Sequence, residues 1–211
     1  MKLIIFDCDG TLVDSEFLCH LALSQQLTEC GIPSNTTALI AQFRGWKLAS
    51  IIGNIEAEYG VKLPTNFEQQ YRLKIKRLFR SKLKANPGVH DLLSTLDIPF
   101  CVASSAPRAK IEHALEVTGL SPFFKQNIFS GYDIQAWKPD PTLFLHVAKS
   151  KGLHPKDCLV IEDSLVGLLA AKRAKMRSIY YAPHKKSAGL AGITQVSHMS
   201  EIGELLTERV F

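Results

Sequence analysis

The apolar run Leu3-Ile4-Ile5-Phe6 ends in two carboxylates one residue apart, Asp7 and Asp9, with Gly10 and Thr11 behind them. A short, wholly apolar run closed by a turn signal predicts a strand buried on both faces, which demands a sheet covered above and below. Alternate side chains of an extended stretch share a direction, so Asp7 and Asp9 are expected to face one small volume beyond the strand. Gly10 allows a sharp turn there, and backbone N–H groups freed in such a turn suit an anion such as phosphate. A nucleophilic carboxylate beside a second one able to shuttle protons is what phosphoryl transfer to an aspartate needs. Taken alone, the pentapeptide is equally a strand that ends in an acidic turn.

Further short apolar runs at 100–103, 159–161 and 178–181 predict buried strands. Between them, Val89, Leu92, Leu93 and Leu96 recur at helical spacing. So do Ile111, Ala114, Leu115 and Thr118, and again Leu143, Phe144, Val147 and Ala148. Strand alternating with helix predicts an α/β fold, a parallel sheet with helices on both faces, whose ligands bind beyond the carboxyl ends of the strands. The alternation breaks between Glu16 and Leu83, where amphipathic helical segments follow one another without a strand. We therefore expect a core domain from residues 1–15 and 85–211 and an inserted all-helical cap from 16–84. The joints fall at Asp14-Ser15 and at Lys84-Ala85-Asn86-Pro87-Gly88. A helical insertion directly after Asp7 and Asp9 would act as a lid that excludes water and selects substrate.

The 211 residues are enough for one core domain carrying a smaller insertion. No apolar run approaches the roughly 20 residues needed to cross a bilayer. The few apolar residues before Asp7 are too short for a secretory leader. A cytoplasmic protein with no membrane partner is expected. The five cysteines (Cys8, Cys19, Cys30, Cys101, Cys158) are odd in number and scattered, and form no C-x-x-C, which argues against disulfides and zinc. A net charge of +5 suits a handler of anionic metabolites, and falls short of the basicity of a nucleic-acid binder.

Three more signals fall where such a sheet would present strand ends. Ser104 and Ser105 close the run 100–103, bringing a hydroxyl and backbone N–H groups. Lys138 precedes the rigid turn Pro139-Asp140-Pro141, and Glu162 and Asp163 follow the run 159–161, ahead of Ser164 and Gly167. If these ends converge, Asp7, Asp9, Glu162 and Asp163 put four negative charges in one place. Each close pair repels by about 4 kcal/mol at an effective dielectric near 20. Such a group needs cations; all-oxygen donors point to Mg²⁺, and Lys138 supplies further positive charge.

Asp7-x-Asp9-Gly10-Thr11, Ser104, Lys138-Pro139 and Glu162-Asp163, in that order over residues 3–181, resemble the haloacid dehalogenase-like superfamily of phosphohydrolases. The resemblance implies a Rossmann-like core with a small helical cap and a Mg²⁺-dependent phosphatase acting on a small phosphorylated metabolite. Asp7 would be the nucleophile and Asp9 the general acid/base. Gly10, Ser104, Ser105 and Lys138 would bind the phosphoryl group, with Lys138 also holding Asp7. Mg²⁺ would be held by Asp7, the backbone carbonyl of Asp9 and Asp163, with Glu162 acting through a bound water or from behind the ligands. The loop Phe129-Ser130-Gly131-Tyr132-Asp133-Ile134-Gln135, leading into Trp137-Lys138-Pro139, is similar to that of 6-phosphogluconate phosphatase-like members.

In the cap, Phe43-Arg44-Gly45-Trp46-Lys47 matches by position the family's substrate-contacting loop, so Arg44, Gly45 and Lys47 are the candidate substrate residues. The basic stretch from Arg72 to Arg80 reads instead as an amphipathic helix with Tyr71, Ile75, Leu78 and Phe79 as its buried stripe. The β-phosphoglucomutase-like sugar-phosphate mutases of the family carry a cap histidine near this region. His20 falls one place later than that pattern, turned about 100° around a helix, and reads as structural or surface. A mutase, a metal-free dehalogenase and a phospho-accepting signalling module are the competing readings. A monomer or weak dimer is expected.

Overall fold

A computed structural model describes residues 1–44, 46–183 and 192–207. In chain order the elements are β1 (Leu3–Phe6), α1 (Glu16–Glu29), α2 (Thr36–Phe43), α3 (Leu48–Tyr59), α4 (Phe67–Lys82) and α5 (Val89–Thr95). There follow β2 (Phe100–Ser104), α6 (Arg108–Val117), α7 (Ser121–Phe124), β3 (Ile128–Ser130), α8 (Thr142–Ser150) and β4 (Cys158–Glu162). The chain continues through α9 (Leu165–Arg173), β5 (Arg177–Tyr181), β6 (Thr194–Val196) and α10 (Met199–Thr207). It divides into two compact units, Met1–Asp14 with Lys84–Phe211, and Ser15–Leu83.

The larger unit holds one six-stranded sheet of order β3-β2-β1-β4-β5-β6, with every neighbouring pair parallel. This is the Rossmann-like α/β architecture expected. β1, β2 and β4 are apolar up to the polar residues that close β2 and β4, because both faces are covered. One face buries Leu3, Ile5, Cys101, Ala103, Cys158 and Val160 against Leu143, Phe144 and Val147 of α8 and Ala170 and Ala171 of α9. On the other face Phe6 meets Phe100 and Phe124 edge to face, at 6.1 and 6.5 Å between ring centroids. The chain moves outward from β1 through β2 to β3, then returns to β4 on the opposite side of β1. The order thus reverses at β1, and the crevice beside its carboxyl end is where open α/β sheets bind ligands.

Two strands are missing from the sequence reading. β3 overlaps the start of the loop 129–135, and β6 lies beyond the last apolar run of the sequence. Both are three-residue strands of mixed polarity at the ends of the sheet order, where one neighbour suffices, so no apolar run marks them. Leu96 and Thr118 also fall just outside α5 and α6, at their C-caps.

The smaller unit contains α1 to α4 and, among its described residues, no strand. Leu23, Leu27, Leu39, Phe43, Ile51, Ile55 and Phe67 form its core. Asn35 caps α2 by accepting from Ala38 N at 3.1 Å, and α3 stops at Gly60, whose φ of 63° a side chain would resist. In α4, Ile75 and Phe79 are buried while Tyr71 and Leu78 are half-buried, with Lys76, Arg77 and Arg80 exposed. All five cysteines are free thiols, three of them buried. No described helix is long and apolar enough to cross a membrane.

Candidate active site at the carboxyl ends of the central strands

Asp7 follows β1 directly, and its N–H donates to Ile161 O of the neighbouring strand β4 at 2.9 Å. That bond brings the ends of β1 and β4 level, so Asp7 meets Glu162 and Asp163. One oxygen from each of these three carboxylates lies within 4.8 Å of the others. Lys138 enters the same place from the turn ahead of α8. Its ammonium donates to Asp7 Oδ1 and, at 2.8 Å, to Glu162 Oε1. Asp7, Lys138 and Glu162 are all buried, at 6, 6 and 1 % exposure, so their charges must be settled among themselves or by a ligand.

One ammonium cannot neutralise two carboxylates, and the acid–base behaviour follows from that. Burial pushes the Asp7 carboxyl up, to about 7, with Lys138 pulling it down and Glu162 adding to the rise. Burial acts to lower Lys138, but Asp7 and Glu162 outweigh it and hold the ammonium above its usual range. The site therefore takes up positive charge at neutral pH, as a proton on Asp7 or as a cation. The all-oxygen donor set of Asp7, Glu162 and Asp163 fits a hard divalent ion.

The glycines that flank the acids leave no room for side chains. An ideal Cβ on Gly10, where φ is 84°, would stand 2.3 Å from Asp163 Oδ2. One on Gly167 would stand 1.8 Å from Glu162 Oε1. The bare first turn of α9 lets Glu162 fold back, where its Oε2 accepts from Ser164 N at 2.7 Å and Ser164 Oγ at 2.9 Å. Glu162 is thus occupied on both oxygens, by Lys138 on one and Ser164 on the other.

Ser104 ends β2, buried, with its Oγ accepting from Ala106 N at 3.1 Å. Ser105 Oγ accepts from Lys138 N at 3.2 Å, joining the β2 turn to the lysine's own backbone. Asp9 Oδ2 accepts from Lys110 Nζ of α6 at 2.7 Å. Neither Lys110 nor Asn86 was singled out as a site residue in the sequence. Asn86 Nδ2 donates to Gly10 O at 2.9 Å and Thr11 O at 2.7 Å, fixing the turn that carries Asp9. Thr11 Oγ1 in turn donates to Asp163 Oδ1 at 3.3 Å.

A model of haloacid dehalogenase-like hydrolases matches residues 4–181, most of the chain. The chain belongs to this family. It is 38 % identical to the 6-phosphogluconate phosphatase of Escherichia coli over 99 % of its length and 96 % of the relative's. It is 30 % identical to a phosphorylated carbohydrates phosphatase of Thermotoga maritima, covering 90 % and 89 % of the two. A solved haloacid dehalogenase-like protein from Agrobacterium tumefaciens superposes with a TM-score of 0.84 over 100 % of both chains at 31 % identity. A β-phosphoglucomutase-like protein from Thermotoga maritima does so at 0.80, over 99 % of both chains at 28 % identity.

Within the smaller unit of this hydrolase, Arg44 is the C-cap of α2 and pairs with Glu16 of α1 at 2.5 Å. Lys47 is the N-cap of α3, and between them Trp46 is half exposed with its ring edge-on to Phe43. Gly45 lies outside the described residues. His20 is buried, and its Nδ1 meets Glu16 O of its own helix at 2.9 Å.

Proposed function

We propose that this hydrolase is a Mg²⁺-dependent phosphatase. It removes phosphate from a small phosphorylated sugar or sugar acid, 6-phosphogluconate being the first candidate, through an aspartyl-phosphate on Asp7. The observation that carries the reading is the buried Asp7–Lys138–Glu162 cluster with Asp163 beside it. The named activities of the Escherichia coli and Thermotoga relatives support the substrate class.

Asp7, Asp163 and the backbone carbonyl of Asp9 would hold the cation. When bound, it neutralises charge on the phosphoryl oxygens and on the acids around them. Asp7 attacks phosphorus; a carboxylate oxygen–phosphorus bond forms as the ester oxygen leaves, and Asp9 gives that oxygen its proton. Asp9 then takes a proton from water, which attacks phosphorus and releases phosphate and free Asp7. Lys138, itself held by Glu162 and tied to Ser105, keeps Asp7 aimed and shares the phosphoryl charge, together with Ser104 and Ser105; Gly10 N–H, expected to join them, donates instead to Val13 O at 2.8 Å. Most of the acceleration is positioning and charge, because a transferring phosphoryl group carries its charge on its outer oxygens.

The helical unit serves as the substrate-selecting cap, with Arg44, Gly45 and Lys47 contacting the polyhydroxylated part of the substrate. The protein works as a monomer or weak dimer in the cytoplasm, where free thiols persist. The mutase reading is disfavoured by His20, a buried ring engaged with its own helix. Phosphate release is to be measured across sugar phosphates, sugar-acid phosphates, phosphoglycolate and nucleotides, with Mg²⁺ and with chelator. Release from a sugar or sugar-acid phosphate that stops with chelator is expected. Isomerised sugar phosphate in place of free phosphate would reverse the order in favour of a mutase. A stable phosphoprotein without turnover would point to a signalling module, and activity indifferent to chelator would remove the metal.

A further inference from the structure

Backbone hydrogen bonds and the Asn86 amide fix the turn that carries Asp9. Gly10 N donates to Val13 O at 2.8 Å, Leu12 N and Val13 N both donate to Cys8 O, and Asn86 takes the carbonyls of Gly10 and Thr11. What these bonds leave undetermined is the direction of the carboxylate, which two rotatable bonds govern. Lys110, 101 residues away on the first turn of α6, supplies that direction through its 2.7 Å contact with Oδ2. The pair is only part-buried, with side chains 21 and 30 % exposed, so its charge attraction adds little to folding. Its consequence lies in orientation, where small misplacements of a proton donor are costly.

We propose that Lys110 is a positioning residue for proton transfer: it aims the Asp9 carboxylate at the ester oxygen that leaves. The proposal rests on the phosphatase reading and extends it to a residue that does not touch the substrate. It makes a prediction that a structural role would not make. An alkoxide leaving group needs a proton in the first displacement, whereas p-nitrophenolate departs without one. The ratio kcat/KM reports only the steps up to leaving-group departure, so the second displacement does not enter it.

Lys110→Met is therefore expected to lower kcat/KM at least tenfold for an alkyl phosphate, and less than twofold for p-nitrophenyl phosphate. Asp9→Ala should show the same split, larger. Lys110→Arg, which keeps the cation, should recover most of the loss and guards against a variant that merely folds poorly. An equal fall on both substrates means that Lys110 binds the phosphoryl group, and overturns the proposal. So does no change, or a gain. A wild-type protein that releases no phosphate from any ester removes the phosphatase reading and this proposal with it. An active wild type with an unaltered Lys110→Met removes this proposal alone.

Discussion

Asp7 carries two demands that oppose each other: burial favours its neutral form, and nucleophilic attack requires the carboxylate. Its ordinary value near 3.8 moves to about 7, chiefly through burial. A cation and a proton therefore compete for the same oxygen. In the metal-free protein, Mg²⁺ affinity should fall about tenfold for each pH unit below 7 and level off above it. Calorimetric titration in buffers of different ionisation enthalpy should detect about one proton released per cation bound at pH 6. A flat affinity from pH 5 to 8 would contradict the shift. Stability in the metal-free protein has the opposite sign. Between about pH 4 and 7 the folded chain binds a proton that the unfolded chain does not, so this group's stabilisation is lost as pH rises through 7. Asp7→Asn, permanently neutral, should lose that pH dependence in thermal melts and lose turnover altogether.

At the level of elements, the first turn of α9 and the middle of α3 each hold a glycine, with opposite consequences. Gly167 is where Glu162 folds back; a methyl group there would collide with Oε1 at 1.8 Å. Gly167→Ala should displace Glu162 from Lys138, costing about 1–3 kcal/mol in urea unfolding through overpacking. It should also lower turnover at least tenfold. Gly53 in α3 has nothing within 4 Å of its ideal Cβ and an ordinary helical conformation. Gly53→Ala should stabilise the chain by about 0.5–1 kcal/mol in the same measurement. If the two substitutions behave alike, the packing described around Glu162 is wrong.

Across the molecule, the apolar layer beneath the sheet also supports the charges above it. Phe144 of α8 is fully buried in that layer, and the Lys138 ammonium lies 5.1 Å from its ring centroid. An ammonium set over an aromatic face gains a further weak attraction where two carboxylates already hold it. Phe144→Ala should therefore do two things. It should destabilise the chain by about 3–5 kcal/mol in chemical denaturation, as large-to-small changes in cores do. It should also reduce turnover at temperatures where the variant is still fully folded, while Phe144→Leu restores most of the stability and less of the activity. Full activity in folded Phe144→Ala would show that core and site are independent.

The amino-acid sequence by itself located the central strands to within one residue at each end, since 3–6, 100–103, 159–161 and 178–181 are short apolar runs with polar or turn residues beyond them. It also placed Asp7, Ser104 and Asp163 at or beside those ends, because strand, turn and acid are neighbours along the chain. The two outer strands escaped it: a three-residue strand at a sheet end needs no continuous apolar pattern. Only the tertiary structure decided the partners. That Lys138 bridges Asp7 and Glu162, that Asp9 turns to Lys110, and that Asn86 ties down the Gly10 turn all depend on contacts between residues 24 to 131 positions apart. Burial patterns repeat over a few residues and can be read locally. The pairing of charges follows from which strands lie side by side, and packing of the whole sheet sets that.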